Sequence, residues 1–133
     1  MKNLTTTFLL LLLVSISCFP KTYLSKHASV DRYFDSFKSS IHWSERRVRL
    51  DDFAIALSSE PDSIGYIAFE SSKKESLKKA NARIKQAVKY LTYQRRIEKS
   101  RIVVVYLGED EEPHTILQTV TKGGKPSFKS TAR

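Results

Sequence analysis

Apolar and polar positions divide the chain into six short elements behind an apolar leader. From Val30 to Phe37 they alternate, with Val30, Arg32 and Phe34 set against Tyr33, Asp35 and Phe37, which predicts a first strand. Ser44 is the expected N-cap of a helix reaching Ser58. Along it Arg47, Leu50, Phe53, Ala54 and Leu57 recur at helical spacing, while Arg46, Arg49, Asp51 and Asp52 fall largely on other faces. The run Ser59-Glu60-Pro61-Asp62-Ser63 ends that helix, because proline removes a backbone donor and favours a turn. Ile64 to Glu70 then reads as a strand buried on at least one face, and Ser71 to Glu75 as a polar loop.

The second helix carries the clearest periodicity. Leu77, Ala80, Ile84, Ala87, Val88 and Leu91 fall in one sector of about 100° when wound at 3.6 residues per turn. Lys78, Lys79, Lys85 and Lys89 fall on the other side. Arg101 to Leu107 is an almost continuous apolar run and the candidate for a central strand. Gly108 to Pro113 reads as an acidic loop and Thr115 to Thr121 as the last strand. The order β-α-β-α-β-β, with right-handed crossovers, predicts a two-layer α/β (α+β) sandwich, a mixed sheet with both helices on one face.

Residues 1–18 form the leader. Met1-Lys2-Asn3 is a short charged start, Phe8 to Val14 an uninterrupted apolar run, and Ser15-Ile16-Ser17-Cys18 a small-residue stop before Phe19-Pro20. This is the plan of a secretory signal, and the run is too short for a transmembrane helix of about 20 residues. The expected location is therefore periplasmic or anchored at the outer membrane. Ser17-Cys18 resembles the end of a bacterial lipobox, with Ser15 where that motif has Leu. The resemblance implies lipidation of Cys18, the one cysteine, as the sole membrane attachment; the alternative is plain cleavage after Ser17 or a little later. Residues 19–29 read as a tether, 30–121 as one domain and 122–133, with Gly123-Gly124 and Pro126, as a flexible basic tail.

Charge changes the picture in one place. The chain has a formal net charge of +9, and between Lys73 and Arg101 eleven basic residues stand against two acidic ones. The excess therefore belongs to one surface, the outer face of the second helix, where Lys78, Lys79, Lys85 and Lys89 form the expected contact for anionic envelope material. The leader and the lack of a zinc-knuckle, KH or RNP-like motif set nucleic acid aside.

From Leu50 to about Val120 the chain resembles the OmpA-like peptidoglycan-associated C-terminal domain. Four features carry the resemblance in order: LDDFAIAL ending at a Pro-containing turn and entering a strand; a helix with Arg83 followed by Val88 and Leu91; Ile97 and Ser100-Arg101-Ile102-Val103 leading into a strand; and the loop Gly108-Glu109-Asp110-Glu111-Glu112-Pro113. The chain looks like a divergent, exported branch of that family. The resemblance implies an OmpA-like fold that holds peptidoglycan through its diaminopimelate side chain, with Arg83 on the ligand carboxylate. The loop before the helix departs from the family's pattern: Phe69-Glu70-Ser71-Ser72-Lys73-Lys74 is shorter and has no aspartate, which leaves Glu70 as a substitute.

Catalysis finds little support. His27, His42 and His114 lack metal-ligand spacing, and there is no nucleophile elbow or phosphate-binding glycine loop. No cofactor or metal is expected. Asp51-Asp52 and Glu109 to Glu112 read as solvated pairs, and Tyr66, Phe69, Tyr90, Tyr93 and Tyr106 as core and core-edge residues. The expected function is a non-catalytic envelope accessory domain contacting peptidoglycan or anionic polymers. The alternative is a protein-interaction module for an envelope partner that has lost wall binding, and a small hydrolase ranks last.

Overall fold

The computed structural model describes residues 33–128, so the leader with Cys18, the tether, the start of the first strand and residues 129–133 lie outside the described residues. The elements are β1 (Tyr33–Lys38), α1 (Trp43–Ser59), β2 (Ser63–Ser72), α2 (Leu77–Lys89), β3 (Ile102–Asp110) and β4 (His114–Thr121). The four strands form one mixed sheet in the order β1-β4-β2-β3, with β2 and β3 parallel and β4 antiparallel to β1 and β2. The α+β architecture expected from the sequence is the one found.

Both helices cover the same face of the sheet. Ile67 and Phe69 are two residues apart in β2 and so share a face, and Ile67 lies opposite Leu117 of β4. These three join Leu50, Phe53 and Leu57 of α1 and Ala80, Ile84 and Ala87 of α2 in one buried core. Gly65 lets α1 approach, since a Cβ there would lie 2.8 Å from both Phe53 and Leu57. No helix among the described residues is long and apolar enough to cross a membrane.

Several expectations are corrected. The N-cap of α1 is His42, not Ser44: its ring accepts from the Ser44 backbone N–H at 3.3 Å. The buried line of α1 starts at Arg46, not Arg47, because Arg46, Leu50, Phe53 and Leu57 follow the 4-3-4 spacing that faces the sheet. Leu77 is exposed, since it opens α2 beyond the reach of the core. The apolar run after Arg101 is an edge strand among the described residues, and the more polar β4 is central. Apolar content alone does not distinguish an edge from a centre, whereas β4 buries Thr115, Gln118 and Thr119 on both faces. β2 and β3 also run further than expected. Ser71 and Ser72 pair with Glu109 and Asp110, across a bulge that sets Leu107 out of register and is closed by Gly108 at φ +116°. The beginning of the presumed tail is packed, with Phe128 edge-on to Tyr66 and the Ser127 N–H donating to Gln118 Oε1 at 3.1 Å.

Candidate functional site

A cleft of about 980 Å³ opens where β2 ends and α2 begins. Ser76 caps α2 by accepting from the Lys79 backbone N–H. Lys79 and Arg83 follow one turn apart, so both project toward the cleft that they line. Across it, the Ser39 N–H donates to the Pro113 carbonyl at 2.8 Å, and the Ser39 and Thr115 hydroxyls share a hydrogen bond of 2.9 Å. These bonds tie the β1–α1 turn to the turn before β4 and give the cleft its far wall.

Two guanidinium groups form the floor. Arg46 is only 6% exposed and donates through Nη2 to the carbonyls of Ser39 at 2.9 Å and Ile41 at 3.1 Å. Arg83 Nη1 donates to Glu75 Oε1 at 2.5 Å, in a pair whose side chains are 15% and 14% exposed. Burial and then the positive charge of Arg83 push the Arg46 guanidinium below its ordinary range, against the opposing pull of Glu75. Arg46 Nε and Arg83 Nε and Nη2 are buried with no hydrogen-bond partner among the described residues. One carboxylate thus answers two buried cations, and the Nε–Nη2 fork of Arg83 is unused.

Around the mouth, Lys38 pairs with Glu112 at 3.3 Å. Lys74 and Lys79 make no ion pair among the described residues. A carboxylate or similar planar anion that displaces the cover over Arg83 would find Nε and Nη2 without an acceptor and able to hold it in a fork. Among the described residues no three His, Cys, Asp or Glu side chains gather as a metal site.

Of the residues singled out in the sequence, Arg83 lies in the cleft and Lys79 lines it. Lys78 is exposed on α2 outside it, and Lys85 and Lys89 line a different groove on the β3 side. The single lysine face expected of α2 is therefore divided. Glu70 does not replace the missing aspartate. Strand alternation turns it from the helices, and Oε2 accepts from the His114 backbone N–H at 2.9 Å. The carboxylate that reaches Arg83 is Glu75, placed by the turn Lys73–Ser76. Arg46 was also missed, because a charged residue near the start of a helix ordinarily faces water. Tyr93 is exposed rather than core. Arg101, part of the family-like segment, is structural: it donates to the carbonyls of Leu57, Glu60 and Ser63, closing the C-terminus of α1. In comparisons with known proteins, no family model matches this chain and no curated protein is similar to it in sequence.

Proposed function

We propose that this is a non-catalytic binding domain of the cell envelope that takes a carboxylate-bearing ligand, the stem peptide of peptidoglycan, in the cleft between β2 and α2. The observation that carries this reading is the unused fork of Arg83, buried beside a second guanidinium with Glu75 as their shared counter-charge. A ligand carboxylate brings the missing negative charge and two acceptors in one plane, while Arg83 Nη1 keeps Glu75. Lys74 and Lys79 at the mouth add attraction that salt screens; the buried fork is screened much less. The leader and the OmpA-like resemblance supply the envelope setting, and the cleft supplies the chemistry.

Co-sedimentation of the full chain with purified peptidoglycan sacculi tests this, at low and high salt, with Arg83→Ala and Arg83→Lys beside the wild type. The expected result is wild-type retention that persists in salt and falls about tenfold in both variants, because lysine keeps the charge and loses the fork. Retention lost in salt for all three proteins, or no retention at all, overturns the reading.

A further inference from the structure

A second surface lies on the far side of α2 from the cleft. Among the described residues β3 has a neighbour on one side only, so its outer backbone donors and acceptors are unpaired. Its first six residues, Ile102 to Leu107, contain no charge and no proline. Such residues normally protect an exposed edge; β1 at the other end of the sheet has Asp35 and Lys38 in ion pairs with Arg49 and Glu112. Val103 and Val104 point to opposite faces of the sheet and both are exposed, Val104 by 45%.

Beside this edge runs a groove of about 700 Å³ between α2 and β3. Ile84, Val88 and Val104 make its apolar floor, and Tyr93, 67% exposed, stands at one end. Lys85, Lys89 and Lys99 line it, no acidic residue does, and none of the three lysines makes an ion pair among the described residues. The edge supplies main-chain pairing, the floor takes apolar side chains and the lysines select negative charge.

We infer that β3 and this groove are a docking site for an extended segment of a partner protein, an apolar core flanked by acidic residues, which adds to the sheet as a fifth strand. Period-2 geometry places alternate side chains of the added strand over Ile84, Val88 and Val104, and its flanking carboxylates meet Lys85, Lys89 and Lys99. A second copy of this chain fits less well. Two β3 strands paired about a two-fold axis would bring the lysine-bearing α2 helices side by side, like charge against like. The site is independent of the cleft, so the Arg83 variants leave it intact.

The test is an NMR titration of the full chain with a short capped peptide of valine–isoleucine core and glutamate flanks. Two controls are the same core with lysine flanks and the glutamate peptide with a central proline. The glutamate peptide is expected to shift the amides of Ile102 to Tyr106. Val104→Glu, and separately Lys89→Glu on the exposed helix face, are each expected to weaken it about tenfold. Neither control peptide binds in this account, since one repels the lysines and the other lacks a ladder donor. Three outcomes overturn the inference: unshifted β3 amides, equal binding of both flank types, or a full chain that self-associates through β3 and becomes monomeric with Val104→Glu.

Discussion

Arg95 and Arg83 each meet one carboxylate, Arg95 that of Asp51 on α1 and Arg83 that of Glu75 in the turn before α2, yet the surroundings differ in a way that separates a staple from a site. Arg95 donates through Nε to Asp51 Oδ1 at 2.7 Å and pairs through Nη2 with Oδ2 at 2.5 Å. The Tyr90 hydroxyl donates to the same carboxylate at 2.7 Å, and Arg47 and Arg95 both lie over the Tyr90 ring. The Arg95 side chain is 42% exposed, so water completes whatever the protein leaves open. In the Arg83–Glu75 pair the two side chains are largely buried, a second guanidinium stands close by, and three N–H-bearing nitrogens have no partner among the described residues. Satisfied groups in water hold helices together. Unsatisfied groups under cover are where a ligand gains most, because the protein alone leaves their desolvation uncompensated.

Removing the counter-charge breaks this comparison with the largest effect. Glu75→Gln leaves Arg46 and Arg83 as two buried cations with no carboxylate between them. The expected loss is about 2–3 kcal/mol, reduced from the fully buried case because the cleft admits some water. For a domain of this size that lowers the melting temperature by roughly 10–15 °C. The double variant Glu75→Gln/Arg83→Gln should recover much of the loss. Thermal and urea denaturation measure both, and a Glu75→Gln protein as stable as wild type would show that the two cations are solvated, like Arg95.

Arg46→Leu sharpens the contrast at intermediate size. It removes the cation that Arg83 opposes, but leaves the carbonyls of Ser39 and Ile41 without their donor. The net expected cost is about 1–2 kcal/mol in urea denaturation. Sacculus retention should fall less than for Arg83→Ala, because the Arg83 fork survives. A loss of retention as deep as that of Arg83→Ala would instead make Arg46 a direct ligand contact.

The same contrast explains what was legible in the sequence. Periodicity exposed α2 because Ala80, Ile84 and Ala87 repeat on one face, and β2 because Ile67, Ala68 and Phe69 can only be buried. It misplaced β3 because three consecutive valines suit an edge strand beside a groove as well as a centre, and an unpaired edge leaves no local mark. In the cleft, Arg83 was reachable only through the family resemblance. Arg46 and Glu75 were not, since the first shares its spacing with ordinary solvent-facing arginines and the second sits in a polar turn. Their burial follows from the turns at Ser39–Ile41 and Lys73–Ser76 coming together, a long-range event that local patterning does not encode.

Asp51→Asn is the smallest perturbation and bounds the comparison from below. Partial burial pushes the Asp51 carboxyl up, but the hydrogen bonds from Arg95 and Tyr90, with the positive charges of Arg95 and Arg47, outweigh it and hold the group below its ordinary value of 3.8. A carboxyl with a depressed folded-state value contributes stability that is fully present above the unfolded value and is lost as pH falls through the folded one. Wild type should therefore exceed Asp51→Asn by less than about 1 kcal/mol near neutrality, because the staple faces water. The gap should close as the pH falls below 3.8 and narrow with added salt. Melting curves of the two proteins at neutral and acid pH decide it. A gap as wide as that of Glu75→Gln would mean that the staple is as dependent on its carboxylate as the cleft, and the distinction between the two clusters would fall; a gap unchanged in acid would show that the ionised form of Asp51 is not what holds the staple.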